Sequence, residues 1–90
     1  MAVDYSSPHM INFKGIVDIM PSEKLSVIVH NEHIQLGALI LVCCETKKRK
    51  TILFSQQKDK QSLLIESLIK LKQPPDFVLE TLVDELKKLM

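Results

Sequence analysis

Tryptophan is absent from this chain, tyrosine occurs once and phenylalanine three times. Whatever core it forms must therefore come from Ile, Leu and Val, without the large aromatic anchors that dominate many cores. Glycine is almost as scarce. Gly15 and Gly37 are the only two, and neither lies at a strand-to-helix turn, which excludes a glycine-rich phosphate cradle. The only cysteines, Cys43 and Cys44, are neighbours, too close for ordinary disulfide geometry. They read as free thiols in a reducing compartment, cytoplasmic or nuclear.

Charge of neither sign prevails. Twelve Lys and Arg against eleven Asp and Glu give a net +1, so no whole-molecule field draws the chain to nucleic acid or an anionic bilayer. The longest apolar run, Leu36 to Cys44, is about half of what a spanning helix needs, and no transmembrane segment is expected. Residues 1–10 show no periodicity and close on His9-Met10, a pair typical of cloning junctions. They read as a disordered leader, with 11–90 as a single domain.

Within that domain the first half alternates. Ile11, Phe13, Val17 and Ile19 are apolar against Asn12, Lys14 and Asp18, a period-2 pattern that predicts a strand. Pro21-Ser22-Glu23 has turn chemistry. Leu25, Val27 and Val29 predict a second short strand, with Asn31 as the pivot of the following turn. Ile34, Leu36, Ala38, Ile40, Val42 and Cys44 predict a third strand, apolar on both faces and therefore central or covered on both sides. Lys47-Lys48-Arg49-Lys50 reads as a hairpin tip, and Thr51 to Ser55 as the fourth strand.

After Ser55 the period lengthens. Leu64, Ile65, Leu68, Ile69 and Leu71 form one stripe of a helix from roughly Lys58 to Lys72, supported by a Glu66/Lys70 pair one turn apart. Gln73-Pro74-Pro75 ends it, and Pro75 opens a second helix with Asp76 and Glu80 at its positive end and Lys87 and Lys88 at its negative end. The fold class expected is α+β: a four-stranded antiparallel meander followed by two C-terminal helices packed on the sheet.

Residues 38–72, a hydrophobic strand pattern, a basic turn, Thr51-Ile52-Leu53-Phe54 and then Leu64-Ile65-Glu66-Ser67-Leu68-Ile69, resemble the last strands and closing helix of pleckstrin-homology-like domains. The resemblance implies a domain that binds phosphoinositides or proteins. Val17-Asp18-Ile19 followed by Ser22 is similar to the opening of a COMM-type interaction module.

Chemistry finds little foothold. A nucleophilic site needs a thiol beside an imidazole, and nothing in the spacing brings Cys43 or Cys44 to His30 or His33. Two histidines alone do not make a metal site. The chain reads as a non-enzyme without cofactor or metal, working as a protein-interaction or assembly domain of a larger protein or complex. Its partner-binding face is the leucine seam Leu79, Leu82, Leu86 and Leu89, facing another protein or a second copy. The alternative is an adaptor for anionic lipid or nucleic acid that uses Lys47, Lys48, Arg49 and Lys50 as phosphate contacts.

Overall fold

Every segment expected to be a strand is helical. The computed structural model describes residues 3–90, and among them there is no β-strand. Six helices follow one another: α1 (Pro8–Ile19), α2 (Ser22–Asn31), α3 (Ile34–Cys43), α4 (Thr46–Phe54), α5 (Lys58–Ile69) and α6 (Asp76–Leu89). The α+β class is thus corrected to all-α, and with it the likeness in architecture to pleckstrin-homology-like domains. Residues 38–72 run through α3, α4 and α5 instead of two strands and a closing helix.

The reason lies in which residues are buried. In α1 the inward set is Met10, Phe13 and Val17, with Ile16 beside them, and the C-cap residue Met20 continues the buried row. Spacings of three, four and three trace one face of a helix. Ile11 and Ile19, which carried the alternating pattern, point to solvent at 56% and 68% exposure. The same happens in α2, where Ile28 joins Leu25 and Val29 in the core while Val27 is exposed. Residues 8–10, read from sequence as part of a leader, belong to α1, and Met10 is buried. Met1 and Ala2 lie outside the described residues.

Helix α3 is the hub. From Leu36 to Cys43 every residue is buried, and α1, α2, α4 and α5 all pack against it. A helix apolar on all sides belongs in the middle of a bundle. Gly37 permits that density, because a Cβ there would stand 2.9 Å from Leu64 Cδ2 and 3.3 Å from Val29 Cγ1. Around this hub α6 docks chiefly on α1, through Leu79, Val83 and Leu86.

Helix termination is solved without glycine. Only two extended residues separate α1 from α2 (Met20-Pro21), α2 from α3 (Glu32-His33) and α3 from α4 (Cys44-Glu45), and no described residue has positive φ. The left-handed glycine that commonly satisfies the last carbonyls is therefore missing. Cations from later helices take its place. Lys48 Nζ donates to the carbonyls of Val17 and Asp18 at 2.8 and 3.2 Å, ending α1. Lys60 Nζ donates to those of His30 and Glu32 at 3.0 and 3.2 Å, ending α2. Arg49 donates through Nε to Leu41 O at 2.8 Å and through Nη2 to Cys44 O at 2.9 Å, ending α3. Each places positive charge at the negative end of a helix dipole while filling orphan carbonyls.

The remaining glycine sits where it is not needed. Gly15 is in the interior of α1, and a Cβ added there would meet nothing within 4 Å. Gly15→Ala should stabilise the fold by about 0.5–1 kcal/mol, the ordinary helix-propensity difference. Chemical denaturation checks it: an unchanged or lower midpoint would show that this position does not behave as an open helical site.

Candidate functional site

The basic run and the leucine seam divide once they are placed in the bundle. Lys47, Lys48, Arg49 and Lys50 lie in the first turns of α4, not in a hairpin tip. Lys48 and Arg49 are half-buried and turned inward to cap α1 and α3, whereas Lys47 and Lys50 are exposed. Of the four leucines, Leu79 and Leu86 are fully buried against the core, Leu82 is half-buried, and Leu89 is exposed. Leu79, Val83 and Leu86 make one stripe; Val78, Leu82 and Leu89, at spacings of four and seven, make another on the neighbouring face of α6.

His33 and Cys43 stand at opposite ends of α3. His33 is the N-cap of α3, and its Nδ1 accepts the Leu36 N–H at 3.2 Å; Cys43 closes the same helix, about 15 Å away by the helical rise. Cys44 Sγ donates to Ile40 O at 3.2 Å. Burial, with the neighbouring Cys44 thiol adding to it, pushes the Cys43 thiol up from 9.0 to about 12, and burial also raises Cys44. Neither thiol is poised as a nucleophile, because the thiolate is the reactive form. Among the described residues, no three His, Cys, Asp or Glu side chains gather as they would to hold a metal ion.

The raised thiol has a consequence for stability. Its folded pKa lies above the unfolded one, so the stability it contributes is complete below about pH 9 and is lost as pH climbs toward about 12. The loss should run at about 1.4 kcal/mol per pH unit in that window. Urea midpoints for the native chain and Cys43→Ala, compared at roughly pH 8 and pH 10, should show a shallower pH slope in the variant; parallel slopes would place the thiol in water.

The feature that remains is a groove of about 920 Å³. Its floor is Leu36 and Leu39 of α3, one wall is the α5 face bearing Leu63, and the other is Val78 and Leu82 of α6. The segment from Lys70 to Pro75 closes one end. It exists because α6 packs on α1 and leaves α5, its predecessor in the chain, across an open slot. Two prolines in the connection keep α5 from running on into α6, and Pro75 is extended at the N-cap of α6. The leucine seam signals this groove in the sequence only when Val78 is added: the apolar face of α6 is too wide for one docking surface.

A smaller polar hollow of about 500 Å³ lies beside Lys47, Lys48 and Thr51. Asp18 and Glu45 line it as well, so its charge is mixed. No helix in the structure is long and apolar enough to cross a membrane. Comparison of the chain with protein-family models, with characterised proteins and with solved structures finds no match.

Proposed function

We propose that this chain is a non-catalytic protein-interaction domain that takes an amphipathic helix of a partner into the groove between α5 and α6. The observation that carries the reading is the second apolar stripe of α6. Val78 and Leu82 face Leu63 across a slot with Leu36 and Leu39 at its base, and no helix among the described residues fills it. Helix-in-groove recognition uses this arrangement: apolar anchors one turn apart dropping between two helices. The buried thiols, in which burial disfavours the reactive thiolate, support a binding role over thiol chemistry. Free cysteines agree with an intracellular setting.

The test is a titration followed by amide NMR. A synthetic amphipathic helix of about four turns, with leucines at i, i+3, i+4 and i+7 and otherwise uncharged, should shift resonances of Leu36, Leu39, Leu63 and Leu82. Leu63→Glu should abolish those shifts while leaving the fold intact, since Leu63 is half exposed already. No shift at about 1 mM peptide, the weak limit of specific binding, would overturn the reading.

The alternative, an adaptor contacting lipid or nucleic-acid phosphates through Lys47 to Lys50, is left with two free cations in place of four, because Lys48 and Arg49 are held by backbone carbonyls. If that contact exists, exchanging Lys47 and Lys50 for glutamine should remove its salt dependence.

A further inference from the structure

Of the six helices only α3 has its first amides capped by a side chain. His33 Nδ1 accepts the Leu36 N–H at 3.2 Å, and His33 O accepts the Gly37 N–H at 3.2 Å, so one residue closes the whole first turn. The imidazole is exposed, yet Leu36 is only 2% exposed. Its amide has little access to water and depends on that one acceptor. Ser, Thr, Asp and Asn, the usual N-cap residues, accept through oxygens whose lone pairs stay free near neutral pH. A histidine Nδ1 accepts only while it carries no proton.

Protonation turns the acceptor into a donor facing a donor, and it sets a cation at the positive end of the α3 dipole. No ion pair offsets this: among the described residues no carboxylate pairs with His33. From α5 comes Lys60, whose Nζ is held by the His30 and Glu32 carbonyls, with Asp59 next to it in sequence. Glu66 and Lys70, farther along α5, pair with each other at 3.0 Å. Helix α2 leads into the cap through His30 and Glu32. Lys14 and Asp18 of α1, with Lys48 and Arg49 of α4, act on Cys43 and Cys44 at the far end of α3. Helix α6 presents only Val78 and Leu82 to the groove that His33 lines, and the connection before it presents Lys72.

We infer that His33 is a proton-operated latch on the hub helix: neutral, it holds the first turn of α3, and protonated, it lets that turn open. Helix ends open with free energies near zero, so a lost cap converts a mostly closed turn into a substantially open one. The latch is closed at neutral pH and released as pH falls. Because His33, Ile34, Gln35 and Leu36 line the groove, the same proton reshapes the groove's edge and weakens partner binding, a step that rests on the docking role proposed above.

Hydrogen exchange at the Leu36 and Gly37 amides of the full chain, corrected for intrinsic rates, reads the latch. Protection should fall about 2- to 30-fold between about pH 7.5 and about pH 5, the range of N-cap losses across the ordinary imidazole titration. His33→Asn, a cap without a titrating proton, should keep its protection at both values. His30→Gln, altered at an exposed imidazole in the last turn of α2, should lose it as the native chain does. Constant protection in the native chain, or the same fall in His33→Asn, would overturn the latch. The uncharged leucine peptide should bind the native chain more weakly at the lower pH, by up to the factor lost in protection, and His33→Asn equally at both. Peptide affinity that ignores pH while Leu36 loses protection would overturn the step to the groove. A peptide that binds at neither pH would overturn the docking role, with exchange at Leu36 still deciding the latch.

Discussion

Arg49→Ala lowers the unfolding free energy by about 2–4 kcal/mol, because three charge-assisted bonds are lost and the carbonyls at the end of a buried helix lose their side-chain donor. Arg49 reaches Leu41 O at 2.8 Å and Cys44 O at 2.9 Å, at the end of a helix buried on every side. For a chain of this size such a loss corresponds to a fall in Tm of roughly 10–25 °C. Arg49→Lys should recover part of it, a point charge replacing a planar fork. Lys47→Ala and Lys50→Ala, two positions before and one after but exposed, should stay within about 0.5 kcal/mol. Four adjacent cations would thus separate into a structural group and a solvated group. If Arg49→Ala proved as neutral as Lys50→Ala, cationic helix capping would not be what ends α3.

Gly37→Leu should have an effect of comparable size. The position faces Leu64 and Val29, both wholly buried, and even a single methyl would come within 2.9 Å of Leu64 Cδ2. Three further carbons have nowhere to go without separating α3 from α5 and α2, which should cost about 3 kcal/mol or more. Gly37→Ala should be much milder, because the gain in helix propensity offsets a contact that a small rotation of Leu64 relieves. Equilibrium unfolding in urea measures both. A Gly37→Leu chain with an unaltered midpoint would mean that α3 and α5 do not approach as described.

The two C-terminal helices were legible because their surroundings differ by face. Leu64 and Leu68 look inward while Glu66 and Lys70 look out, and Pro74-Pro75 marks the break. The first four helices hid for separate reasons. In α3 apolar residues occupy nearly every position, which erases any period and leaves a buried helix indistinguishable from a buried strand. In α1 the pattern of three, four and three needs Met10 and Met20 at its ends. Setting Met10 aside as leader left the interior residues to suggest alternation. In α2 and α4 β-branched residues favour strands locally, a bias that burial of Ile28, Val29 and Ile52 overrides.

The basic run hides its inward half for a further reason. Charge patterning treats adjacent cations as solvated, yet Lys48 acts on carbonyls thirty positions earlier in the chain. A hint was available in the scarcity of glycine. Helices that cannot end on a left-handed glycine need another donor for their last carbonyls, and lysine and arginine are the side chains able to reach. The groove was half visible: Leu82 was singled out with the seam, while Leu36, Leu39 and Leu63 lie far from it in sequence and become neighbours only through the bundle.

All of this stands on the first half of the chain being helical, and the ¹³Cα secondary chemical shifts of residues 8–54 test that directly. The expected result is four positive blocks matching α1 to α4, interrupted at Met20-Pro21, Glu32-His33 and Cys44-Glu45. Negative shifts running from Ile34 to Cys43 would contradict it, returning that segment to a strand and removing the floor of the groove.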